Sequence, residues 1–149
     1  MGAVEKYACM ALVTEMTVVV LCGVLTRYVT KGQLPWSAEL ASYSLAWTTF
    51  LGSALVMDRK GHLAIEALVQ WLPPSLRKIA QIVSYLVVLA SLAIFVLAGF
   101  ELVLRTKDQL SAAMRIPMAW AYLSIPLGSL FMFVHSFEQF LTLLVGRGE

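Results

Sequence analysis

The sequence predicts an all-α integral membrane protein, with four transmembrane helices and a short interfacial amphipathic helix between the second and third. Three observations carry that reading. Of 149 residues, 60% are hydrophobic and 13% charged, against roughly 45–50% and 25% in an ordinary soluble domain; the mean hydropathy is +0.80. The apolar residues gather into four runs, Tyr7–Val29, Ser37–Met57, Ile79–Leu104 and Met118–Val145, and about 20 helical residues suffice to cross a hydrocarbon core of about 30 Å. Runs of that length are too long for strands, and a segment in lipid must satisfy its own backbone, so each reads as a helix. One membrane domain, 1–149, is all that this length accommodates.

The first run is too long for the apolar part of a signal peptide and is followed by no small-residue cleavage pattern, so it reads as a retained span. Its two cysteines, Cys9 and Cys22, lie about 20 Å apart along a helix, beyond the roughly 7 Å reach of a disulfide. The second run has the clearest boundaries. Pro35 and Trp36 mark a membrane–water boundary, Ser37 is a candidate N-cap, and Glu39 is expected in the first turn, where exposed N–H groups favour a negative charge. No charge follows from Leu40 to Met57, and then Asp58, Arg59, Lys60 and His62 end the span abruptly. Ser44, Thr48 and Gly52 recur at every fourth residue and predict a small, hydroxylated face for close helix packing.

Beyond that exit, Arg59, His62, Glu66 and Gln70 form one polar stripe, with Leu63, Ala67, Leu68, Trp71 and Leu72 filling much of the remainder. This split predicts an interfacial helix over about 62–72, with Trp71 at the headgroups and Pro73-Pro74 ending it, either flat on the membrane or capping the protein itself. The third run is long enough to tilt or project. The fourth should bend at Pro126, which lacks a backbone donor, with Gly128 beside it.

A net charge of +2 without a basic stripe gives no footprint for nucleic acid. Orientation rests on two nearly balanced sets of cations: Lys6, Arg59, Lys60, Arg77, Lys78 and Arg147 on one side, and Arg27, Lys31, Arg105, Lys107 and Arg115 on the other. There is no phosphate loop, no nucleophile with a base and no metal-ligand spacing, so the expectation is no catalytic site, no metal and no substrate site in this chain. His62 and His135 are not placed as facing haem ligands, and a single His135-x-x-Glu138 does not make a di-iron site. Glu15 is the carboxylate deep within a span, where insertion costs roughly 2.5–3.5 kcal/mol and a partner is required. It reads either as a proton or cation site or as a structural hydrogen bond, with His135 and Glu138 as candidate partners and the structural role the more common. Arg27 and Glu39 flank Trp36 across the first loop, as an external interface or as headgroup anchors and caps.

The ordered set Trp36, Glu39, Trp47, Gly52, Arg59 and His62, preceded by Arg27-Tyr28-Val29 and followed by Leu72-Pro73, resembles the DctQ-type small membrane subunit of TRAP transporters over nearly the whole chain. It departs from that pattern at Ala38, where a second acid is expected, and at Glu66, where aspartate is commoner. The resemblance implies an accessory, non-enzymatic scaffold in a bacterial or archaeal cytoplasmic membrane, with both termini cytoplasmic. It also implies a large membrane subunit carrying the substrate and sodium sites, a periplasmic binding protein, and import of organic anions such as carboxylates or sulfonates. On that reading no cofactor binds this chain, and Glu15, Ser44, Thr48, Gly52 and His135 serve structure or subunit contacts. The competing readings are a self-sufficient four-helix proton-coupled transporter using Glu15, and a haem-binding membrane anchor.

Overall fold

A computed structural model describes residues 2–29, 32, 34–60 and 74–145; the side chains of residues 2–4, 59, 60, 74 and 75 are outside the description. It contains α1 (Gly2–Val29), α2 (Pro35–Lys60), α3 (Pro74–Thr106), a single turn α4 (Ala119–Tyr122) and α5 (Ser124–Leu144). Among the described residues, four stretches are long and apolar enough to cross a membrane: Glu5–Val29, Pro35–Asp58, Leu76–Thr106 and Ala119–Leu144. The expected interfacial helix, with His62, Leu63, Glu66 and Trp71, lies outside the described residues.

Both central helices begin or break at prolines. The second starts at Pro35, two residues ahead of the expected cap, because a proline is pre-shaped for the first helical position and has no N–H to leave unpaired. Ser37 therefore sits inside the first turn, where its hydroxyl donates to the Leu34 carbonyl at 2.7 Å, and Glu39 lies beyond that turn. The fourth span, expected as one bent helix, is two helices parted at Leu123. Pro126 supplies no donor to the carbonyl four residues back, on Tyr122, and its ring crowds that carbonyl. The helix stops there, Ser124 donates its hydroxyl to the Ala121 carbonyl at 2.7 Å, and winding resumes. The third helix runs to 33 residues, about 50 Å, longer than its apolar run because it starts at Pro74 and continues to Thr106.

The helices pack as a row, α1 on α2, α2 on α5 and α5 on α3, so α2 and α5 are central and α1 and α3 form the edges. On α1 the covered positions Glu5, Cys9, Leu12, Met16, Val19, Gly23 and Thr26, with Ala8 and Glu15 beside them, recur on one face at spacings of four and three. That repeat is the seam of a left-handed helix pair. Small residues sit at the crossings. A side chain on Gly128 would meet the backbone of Phe50 within 3.1–3.2 Å, one on Gly99 would meet the Pro126 nitrogen at 3.0 Å, and one on Gly23 would meet Ser37 Oγ at 2.7 Å. Gly52, in contrast, faces open space. A four-residue step turns about 40° around a helix, so Ser44 points into the bundle while Gly52, two steps on, has rotated out of it. Among the described residues, the tight glycine crossings within this chain are at Gly23, Gly99 and Gly128, and Gly52 on the expected Ser44-Thr48-Gly52 face has no such neighbour.

The interior is correspondingly polar and small. Ser124, Ser129 and Ser136 are fully buried while Leu97, Ile94 and Leu25 are exposed. Lipid tails are as apolar as leucine, so close packing and hydrogen bonds, rather than flight from water, decide what lies inside.

Candidate functional site

Polar side chains that tie helices together occur at three levels. At the terminal end, where α1 begins and α5 closes, His135 is almost wholly buried at 3% exposure. Its Nε2 stands 3.2 Å from Glu5 Oε1, and Glu5 is only 4% exposed. Its Nδ1 lies 3.3 Å from Asp58 Oδ1, an ion-pair approach off the line of a hydrogen bond. One turn further along α5, Gln139 donates its side-chain amide to the Met57 carbonyl at 2.6 Å. One imidazole thus brings acids from α1 and α2 onto α5. Charged groups are costly in this setting unless paired, and the second Glu5 oxygen has no partner among the described residues.

Midway along the bundle, the single Ser44 hydroxyl proton is shared between Glu15 Oε2 and the Leu40 carbonyl, the latter at 3.0 Å. The other Glu15 oxygen and the Thr48 hydroxyl are buried without partners among the described residues. Glu15 therefore meets Ser44 on α2, not His135 or Glu138. Helical rise explains the difference: Glu15 stands about 15 Å along the axis from Glu5, the acid that is level with His135. Glu138 is exposed, one turn from His135 but on the outer side of α5.

At the opposite, loop end, Glu39 clamps the connection between α3 and α4. Its Oε2 accepts the Ala113 and Met114 N–H groups at 3.0 and 2.9 Å, and its Oε1 accepts the Tyr43 hydroxyl at 2.8 Å. The connection folds back on itself: Ser111 N donates to Ile116 O at 2.8 Å, Met118 N donates to Gln109 O at 2.9 Å, and Arg115 turns the chain at φ 52°. Successive amides aimed at one point make a natural carboxylate seat. Trp47 adds a second strap, its indole N–H donating to the Trp120 carbonyl at 3.1 Å.

Of the other residues singled out above, Arg27 and Trp36 are exposed at this loop end. Arg59 is helical, with its side chain outside the description. Sequence reasoning missed Glu5, Asp58 and Gln139. The available signal for Glu5 was its place on the alternating seam of α1; for Asp58 and Gln139 no local signal exists, because each acquires meaning only from the helix opposite. Among the described residues no cluster of His, Cys, Asp or Glu could hold a metal ion.

Helices long and apolar enough to cross a membrane, tied at three depths by polar side chains, define a multi-pass helical membrane protein. Family comparison gives the class. The chain matches the family of tripartite ATP-independent periplasmic transporters, DctQ component, over residues 16–146, and it belongs to that family as a TRAP small permease subunit, a transporter component and not an enzyme. It is 23% identical over 141 residues to the sialic acid TRAP transporter small permease protein SiaQ of Vibrio cholerae, covering 95% of this chain and 82% of that protein. It is 25% identical over 82 residues to the C4-dicarboxylate TRAP transporter small permease protein DctQ of the same organism, covering 55% of this chain and 35% of that one. A third likeness, 23% over 114 residues, is to the sialic acid TRAP transporter permease protein SiaT of Haemophilus influenzae, covering 76% of this chain but only 18% of that longer protein.

Proposed function

We propose that this chain is the scaffold subunit of a sodium-coupled importer of organic anions. It works beside a large membrane subunit that carries the substrate and sodium sites, and a periplasmic protein delivers the ligand. The observation that carries this reading is the likeness to a small permease protein along 95% of the chain. A segment similar to this chain also lies within the much longer SiaT permease, as expected of a unit that functions against a large permease body. Names of the relatives mention sialic acid and a C4-dicarboxylate, both acids, which supports an organic anion as cargo.

The ties within the bundle suit a scaffold. Glu5, Asp58 and His135 are engaged with one another, Glu15 with Ser44, and Glu39 with backbone amides, so each holds helices together. On this reading the chain sits in the cytoplasmic membrane with both termini inside, needs no cofactor of its own, and has Ser44, Thr48 and Gly52 on helix-facing surfaces. Reconstitution tests it. Sodium-driven uptake of a carboxylate or sulfonate should require this chain, the large subunit and the binding protein together. Uptake by this chain alone in liposomes would overturn the assignment.

A further inference from the structure

Arg27 and Glu39 both flank the first loop, and the fold separates their roles. Glu39 is committed to Tyr43 and to the amides of Ala113 and Met114. Among the described residues no carboxylate pairs with Arg27. On α3, at the opposite edge of the row, Glu101 is held by Arg105 at 2.6 Å.

The unpaired guanidinium borders a cavity of about 360 Å³ between the end of α1 and the start of α2, lined by Val20, Val24, Leu34, Pro35 and Ala38 among others. Gly23 and Ser37 also line it, and they bring the two helices so close that a side chain on Gly23 would meet Ser37 Oγ at 2.7 Å. The cavity therefore has an apolar wall running into the membrane and a cation at its mouth. Its mouth lies at the level of Trp36, which is 40% exposed, as an indole in the headgroup layer would be.

We propose that this groove is a phospholipid site: the phosphate sits on Arg27 and an acyl chain lies along Val20 and Val24. A guanidinium binds a phosphate through parallel charge-assisted hydrogen bonds. The headgroup layer supplies that anion at the level of Trp36, and the apolar wall below it matches an acyl chain. Because Glu39 is already engaged, the site has no free carboxylate to receive an ammonium headgroup. A phospholipid without its own cation, such as phosphatidylglycerol, is therefore favoured over phosphatidylcholine.

The test uses this chain assembled with its large subunit in nanodiscs of phosphatidylcholine, doped with phosphatidylglycerol bearing a photoreactive acyl chain. Illumination should label the α1 peptide containing Val20 and Val24. Arg27→Gln should reduce that labelling about tenfold, the scale of one lost charge-assisted bond, while Arg77→Gln at the other end of the bundle leaves it unchanged. Val24→Trp fills the groove without touching the cation and should reduce it as well. Unlabelled phosphatidylglycerol should compete better than phosphatidylcholine. Labelling that survives both Arg27→Gln and Val24→Trp would overturn the site. An α1 peptide unlabelled in the wild-type complex would overturn it too, because the large subunit would then be the occupant.

Discussion

The terminal end and the loop end of the bundle each spend a carboxylate on holding distant segments together, by opposite means. At the loop end, Glu39 is met by neutral donors, two backbone amides and a phenol, converging on one side chain. At the terminal end, Glu5 and Asp58 are met by a single imidazole, and one Glu5 oxygen has no partner among the described residues. The first arrangement distributes a charge over dipoles that are present whatever their protonation. The second makes three helices depend on one ring. A clamp made of backbone amides should fail locally when broken, and one made of mutually dependent side chains should fail as a unit.

That contrast predicts the largest effect at His135. Replacing it by leucine leaves the buried Glu5 carboxylate without its partner, and breaking a buried pair from one side typically costs about 3–5 kcal/mol. We expect His135→Leu to lower the melting temperature of the purified complex markedly. Glu5→Leu combined with His135→Leu should be less harmful than the sum of the two single changes, because the pair is then removed together. Strict additivity of the two would show that the contact stabilises nothing.

Breaking Glu39 should be milder and confined. Glu39→Ala removes the seat for Ala113 and Met114 while leaving the hairpin's own bonds, Ser111 to Ile116 and Met118 to Gln109, in place. Hydrogen exchange at those two amides should accelerate by about tenfold, in the manner of a local opening, with the melting temperature of the complex close to wild type. A general loss of protection along α2 and α5 would erase the distinction between the two ends.

Much of this architecture was readable in advance, for a reason that applies to lipid-embedded chains in general. Length and hydropathy place the spans because the bilayer imposes both, and Pro126 marked the disturbed helix because a missing donor acts locally. What escaped was pairwise. The partner of Glu15 depends on axial level, and a shift of ten residues along α1 exchanges Glu15 for Glu5 in front of His135. The Ser44-Thr48-Gly52 repeat divides for a similar reason, since a four-residue repeat precesses around a 3.6-residue helix: Ser44 meets α1 through Glu15, while Gly52 has no neighbour within this chain. Glu39 was expected as a first-turn charge; its partners are Tyr43 one turn on and the backbone amides of Ala113 and Met114, 74 and 75 residues away, and no side-chain pattern reveals those amides.

The smallest effect belongs to Glu15, which combines features of both ends. Like Glu39 it is met by a neutral donor, the Ser44 hydroxyl, and like Glu5 it has one buried oxygen without a partner among the described residues. Glu15→Gln keeps the shape and one carbonyl oxygen, so the Ser44 hydroxyl retains its acceptor. A neutral hydrogen bond contributes only about 0.5–1.5 kcal/mol, and here it is kept, so assembly should match wild type. If Glu15 is a tie between α1 and α2, uptake and its sodium dependence should also be unchanged. Glu15→Leu is the informative companion, because it removes the acceptor and should lower the stability of the complex by about 1 kcal/mol. A coupling carboxylate would reverse that order: Glu15→Gln would assemble normally and lose ion-driven uptake. Measuring sodium-dependent uptake by the Glu15→Gln complex, after its assembly has been shown, separates the two, and lost coupling there would move part of the transport mechanism into this subunit.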